Sequence, residues 1–115
     1  MGIWTPDAAI GEMDDTNWVE IMPANPDGPR TLSHLQVFNA DSAAIALTVE
    51  AVQNENKADE ISFPISPPAL ALAANEQYRE RGLSFPAGVS VRATLAAAKT
   101  TTAPKWSASW GDYAG

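Results

Sequence analysis

Few side chains in this sequence could do chemistry, and their spacing is poor for it. One histidine, His34, stands in Leu32-Ser33-His34-Leu35, and there is no cysteine. A serine hydrolase would need His34 as its base, yet no Gly-x-Ser-x-Gly turn presents a nucleophile to it. A lone imidazole builds no histidine-based metal site, and thiolate ligands are absent from the composition. His34 therefore reads as a strand-end or surface residue. Paired carboxylates are the remaining route to acid–base work, with Asp59 and Glu60 as the candidates. Neighbours on a strand point to opposite faces, so that pair reads as the solvated end of a loop. No phosphate-cradling Gly-x-Gly-x-x-Gly or Gly-x-x-x-x-Gly-Lys loop occurs. The expectation is a non-enzyme with no catalytic residue, no metal ligands and no cofactor.

Aromatic residues offer a different chemistry. Trp106, Trp110 and Tyr113 could form platforms for sugar rings, as in a carbohydrate-binding module. Trp106 and Trp110 alternate with Ser107 and Ser109, however, and a single core-facing row on one strand explains them more simply.

The elements that must carry these residues follow from composition and periodicity. The 115 residues suffice for one domain. Seven Lys and Arg against 14 Asp and Glu leave a net charge of −7, which disfavours nucleic acid as a partner. No apolar run is long enough to span a bilayer as a helix, and Met1 to Asp7 carry neither the basic nor the apolar region of a secretory leader. No membrane partner is expected.

Residues 1–30 read as an extended acidic arm, with six acids, one base (Arg30), and two of the four tryptophans, Trp4 and Trp18. Pro23, Pro26 and Pro29 exclude regular structure there, and only Asn17 to Met22 alternates enough for a short strand. Trp4 and Trp18 are either anchors on a neighbouring subunit or residues folded back on their own core. Asp14 and Asp15 are candidate contacts with a basic groove, against the plainer reading of a solvating tail.

Residues 31–115 read as an all-β domain, a small antiparallel sandwich. Leu35 and Val37, then Ile45, Leu47, Val49 and Ala51, then Ile61, Phe63 and Ile65 form successive apolar faces. Val89, Val91, Ala93 and Leu95 form another, and Pro64 marks its strand as an edge. Turn residues separate these runs at the intervals typical of sandwiches and barrels. The expected core comprises Leu35, Val37, Ile45, Leu47, Val49, Ile61, Phe63, Val89, Val91, Leu95 and Trp106. Residues 67–81 admit two readings, a helix opened by Pro67 or two strands about a turn at Ala73 to Glu76. Leu70, Leu72 and Tyr78 do not gather on one helical face, which favours the strands. The run Ala96 to Ala98 is either a flat surface for subunit approach or a loose hairpin tip.

The order of these pieces resembles the small β-sandwich virion proteins of tailed bacteriophages. The resemblance rests on Val37-Phe38-Asn39-Ala40-Asp41, Leu70-Ala71-Leu72-Ala73-Ala74-Asn75-Glu76, and Leu83-Ser84-Phe85-Pro86-Ala87-Gly88 entering an alternating strand. It covers about residues 31–113, and Pro86-Ala87-Gly88, taken as a hairpin turn, is its most distinctive part. What it implies is a structural component located in the virion. The first choice is a capsid cement or decoration protein; the arm has no counterpart in the resemblance, and its Trp4, Asp14, Asp15 and Trp18 are the contacts expected with the major capsid protein from their residue types alone. A tail, neck or baseplate component is the alternative. Independently of the resemblance, a domain this small without disulfides is marginally stable alone, and a homo-oligomer is expected, a trimer among the options.

Overall fold

Alternating apolar residues make a strand only if the alternate face finds a partner, and here two sheets cover each other. The structure is a computed structural model describing residues 3–114, with the side chains of Tyr113 and Ala114 outside that description. Its elements are β1 (Ile3–Glu12), β2 (Val19–Met22), β3 (Arg30–Phe38), β4 (Ile45–Gln53), β5 (Ile61–Pro64), β6 (Leu70–Leu72), β7 (Gln77–Phe85), β8 (Val89–Leu95) and β9 (Lys105–Ala114). Sheet I has the order β1-β9-β3-β7, and sheet II has the order β2-β8-β4-β5 with β6 also on β4. Every pairing is antiparallel. The fold is all-β, as expected.

β5 and β6 lie end to end along the side of β4 that β8 leaves open, so they act as one interrupted edge strand. The interruption at Ser66 to Ala69 is held from β4. Val49 N–H donates to Ser66 Oγ at 3.0 Å, and Ala69 N–H donates to Thr48 Oγ1 at 3.0 Å. Ala69 has φ 54°, where an L side chain is crowded. Replacing it with glycine is expected to raise stability by about 0.5–1 kcal/mol, less than the whole strain because glycine also loses more entropy on folding. A higher melting temperature of Ala69→Gly checks this.

The core is the space between the sheets. Leu32, Leu35, Val37, Trp106, Ala108 and Trp110 from sheet I meet Leu47, Val49, Val91, Ala93 and Leu95 from sheet II. Leu32 and Leu35 are three apart, yet both are fully buried. Strict alternation would turn one of them outward. A register shift between Leu32 and His34 reverses the alternation at Ser33 and brings both inside. A shift between Glu20 and Met22 does the same for the consecutive buried residues Ile21 and Met22.

Four expectations need correction. The first 30 residues do not form a separate extended arm: β1 pairs with β9 along its whole length, and β2 pairs with β8. Edge strands need only one neighbour, so weakly alternating sequence is ordered by a partner some 100 residues away. Ile61 and Phe63 face inward but are 62% and 68% exposed, because β5 is the edge of sheet II and nothing in sheet I reaches over it. Pro86-Ala87-Gly88 is not a hairpin turn. It carries the chain from β7 in sheet I to β8 in sheet II, with Gly88 at φ 84° donating its N–H to Asn25 O at 2.9 Å. Ala96 to Ala98 likewise begin a crossing from β8 to β9, not a hairpin tip, and are exposed. Residues 67–81 do resolve into two strands, β6 and the start of β7, about a turn closed by Glu76 N–H to Ala73 O at 3.0 Å.

Candidate functional site

The residues singled out by sequence fall on different parts of the sandwich. Trp4, on β1, lies on the outer face of sheet I and is half-buried against its own chain. Its indole covers Gly111, where any Cβ would collide with the ring. Trp18 precedes β2 on the outer face of sheet II and is 44% exposed. The Arg92 guanidinium stacks on it at 4.2 Å from the ring centroid. The two tryptophans thus sit on opposite broad faces. Asp14 and Asp15 lie between them in the β1–β2 crossing. Asp14 pairs with Lys99 Nζ at 2.8 Å, and Asp15 accepts from Asn17 N–H at 2.9 Å. Both contacts are exposed, so the carboxylates can exchange them for an outside partner at little cost.

Trp106 and Trp110 are 7% and 5% exposed and belong to the core row, so neither is a sugar platform. The Tyr113 side chain lies outside the described residues. Asp59 and Glu60 bond to Asn54 and Asn56 within the exposed β4–β5 loop. His34 lies in mid-strand, not at a strand end, half-buried at the β3 bulge and opposite Arg81. Among the described residues no group of three metal-ligating side chains comes together.

The outer face of sheet II holds a built polar cluster that sequence reading did not find. The Glu20↔Arg92↔Glu50 register places these three side chains across β2, β8 and β4. Arg92 donates through Nε and Nη2 to Glu50 Oε1 at 2.9 and 2.6 Å, and through Nη1 to Glu55 Oε2 at 3.3 Å. Glu55 also accepts from Ser90 Oγ at 3.1 Å. Arg92 and Glu50 are 14% and 16% exposed, so the pair is fixed rather than fluctuating. The sequence signal was available in the outward positions of two recognised strands, but their pairing was not.

Two further polar pins hold the ends of the sandwich. Asp41, 3% exposed, accepts from Thr100 N–H at 2.7 Å, Thr101 N–H at 2.9 Å, Thr101 Oγ1 at 3.0 Å and Thr102 N–H at 3.3 Å. These donors hold its carboxyl well below the usual carboxylate range. Arg30 grips Asp112 with Nε and Nη2, both at 2.8 Å, and reaches Pro23 O at 2.8 Å. The hydrogen bond from Arg30 keeps Asp112 low and ties the proline-rich β2–β3 loop to β9.

Four strands against four, with β5 and β6 counted as one, in the orders β1-β9-β3-β7 and β2-β8-β4-β5, define a jelly roll. No protein-family model matches the sequence, and no curated protein is similar enough to place it. Among solved structures, a chain of the T13 particle of infectious bursal disease virus is similar, with 10% identity, a TM-score of 0.58, and coverage of 97% of this chain and 31% of that one. A chain of the Gx strain of the same virus gives 9% identity and a TM-score of 0.52 over 100% of this chain and 32% of the other. This chain therefore spans about a third of the length of those chains. At such identity the likeness shows the fold, and many functions share it.

Proposed function

We propose that this protein is a virion structural component, a cement protein that docks on a bacteriophage capsid and bridges major capsid subunits. The observation that carries the reading is the jelly-roll strand order over almost the whole chain, in common with chains of an icosahedral virus particle. Its action is non-enzymatic. Binding that favours the assembled shell over the free subunits stabilises the shell by mass action.

The sheet edges favour contact through faces and loops instead of strand addition. β1 carries Pro6, β5 carries Pro64, and β2 and β6 are only 4 and 3 residues long. β7 presents Arg79, Glu80 and Arg81 and then bends at Gly82, φ 65°. Each of these features discourages a neighbouring strand from adding to the sheet. Contacts through Asp14 and Asp15 on the β1–β2 crossing fit such docking.

Quantitative mass spectrometry of purified particles tests the reading. Copies on the order of hundreds per particle, as a symmetric shell requires, support a cement protein. A few dozen move the protein to the tail, neck or baseplate, and absence overturns the virion role. Asp14→Asn/Asp15→Asn is expected to weaken docking on stripped shells, more at about 50 mM than at about 500 mM salt, where the Debye length is only about 4 Å. Docking that ignores both the substitutions and the salt removes the acidic contact from the mechanism.

A further inference from the structure

We infer that the outer face of sheet I is a docking surface for a second copy of this chain, which it meets through that copy's sheet II outer face. The inference goes beyond the virion reading by naming a partner, and it rests on that reading for where the copies meet.

The first observation is the charge left over on sheet I. In a chain of net charge −7, Arg30 and Arg92 are each committed to a carboxylate. Arg79 and Arg81 are not. Both are exposed on the outer side of β7; Arg79 bonds only to Gln77 Oε1, at 3.1 and 2.7 Å, and Arg81 has no ion pair among the described residues. The sheet II face is the reverse: Glu20, Glu50 and Glu55 surround one guanidinium, Arg92. Glu20 is exposed and has no hydrogen-bond or ion-pair partner among the described residues.

Shape supplies the second observation. Beside the arginines, sheet I bears a groove of 610 Å³ lined by Ile10, Gln36, Phe38 and Lys105, among others. Ile10 is 84% exposed on this face. Sheet II offers Trp18, 44% exposed, with the Arg92 guanidinium against one face of its ring. Spacing agrees as well. Gln36 in the groove pairs directly with Arg79, one strand away at about 4.8 Å. Trp18 stands two residues before the exposed Glu20, about 7 Å along the chain. Trp18 can therefore meet the groove of a second copy while Glu20 approaches its Arg79 and Arg81.

Area is sufficient. The molecule measures 47 × 31 × 19 Å, so a broad face exceeds the roughly 800 Å² that each partner of a stable pair buries. Because the two faces differ, the contact is head-to-tail and leads to a ring or an open stack.

Sedimentation velocity of the full chain tests this with a charge exchange. At about 100 μM the wild type is expected to self-associate. Arg79→Glu/Arg81→Glu and Glu20→Arg, each alone, are expected to weaken association by about tenfold or more. Mixing the two variants is expected to restore it, because the intact sheet I face of one then meets the intact sheet II face of the other and the two reversed faces complement each other. Circular dichroism confirms that each variant folds, and Arg79→Gln/Arg81→Gln, which adds no repulsion, is expected to fall between wild type and the reversal. A wild type that stays monomeric, variants that associate like wild type, or a mixture that fails to recover each overturns the inference. Copies on the virion without self-association overturn this inference alone, whereas self-association without copies on the virion overturns the virion reading alone.

Discussion

An Asp41→Ala protein is expected to melt on the order of 10 °C below wild type, a large loss for a polar substitution in a domain of this size. The reason is the number of donors one side chain satisfies. Three consecutive backbone N–H groups, of Thr100, Thr101 and Thr102, and the Thr101 hydroxyl all end on its carboxylate. That carboxylate links the β3–β4 turn to the β8–β9 crossing, two connections about 60 residues apart. Removing it leaves the donors without their acceptor beside a closed loop.

The same contact sets a pH dependence. The folded pKa of Asp41 lies below that of the unfolded chain, so the folded state holds fewer protons in that window. Its contribution is complete above the ordinary carboxylate pKa of about 3.9 and is lost as pH falls below that value towards the folded one. Melting temperatures from pH 7 to pH 2 should therefore fall more steeply at the acid end for wild type than for Asp41→Asn. Parallel curves would show that the four donors do not depend on the charge.

The second large effect is expected at Gly11. A Cβ there would lie 2.8 to 2.9 Å from Nε1, Cε2 and Cζ2 of Trp106, the cross-strand partner of Gly11. The ring cannot swing to solvent, since Trp106 is 7% exposed and part of the core. Gly11→Val is expected to destabilise by about 1–3 kcal/mol, the usual cost of overpacking, by forcing either the indole or β1 to move. A double-mutant cycle with Trp106→Leu identifies the cause. If the clash is with the indole, the valine costs less in the leucine background, with a coupling of about 0.5–3 kcal/mol. Additive effects would place the strain elsewhere in β1.

Several features were legible in the residues alone because they depend on near neighbours. A side chain's face is set by a period of two along its own strand. Ile45 to Gln53 and Val89 to Leu95 accordingly appear where alternation puts them, with Glu50 and Arg92 outward and Val49 and Val91 inside. The Trp106 and Trp110 row is inward for the same reason. The turn before Gln77 is local too: Asn75 supplies its left-handed residue, φ 68°, and Glu76 Oε1 accepts from Ala73 N–H at 2.6 Å.

Pairing was not legible, and the candidate site depends on it. Arg92 and Glu50 are 42 residues apart, and Trp18 is farther still from Arg92, so no local pattern marks them as one cluster. Nor does β1 alternate in a way that discloses its partner, because an edge strand buries little of either face. Asn39 shows a further limit. It stands among turn-forming residues, and it is fully buried, donating from Nδ2 to Leu72 O at 3.1 Å and Ala43 O at 2.9 Å. Composition and alternation by themselves determined an all-β chain, most of its strands, and which side of each strand is apolar. Only the tertiary structure decided that the first 30 residues complete both sheets, that Pro86 to Gly88 crosses between them, and that Ile61 and Phe63 stay open to solvent. Alternation along a strand is a property of adjacent residues, whereas strand order and edge exposure arise when distant segments compete for the same hydrogen-bonding side and the same buried surface.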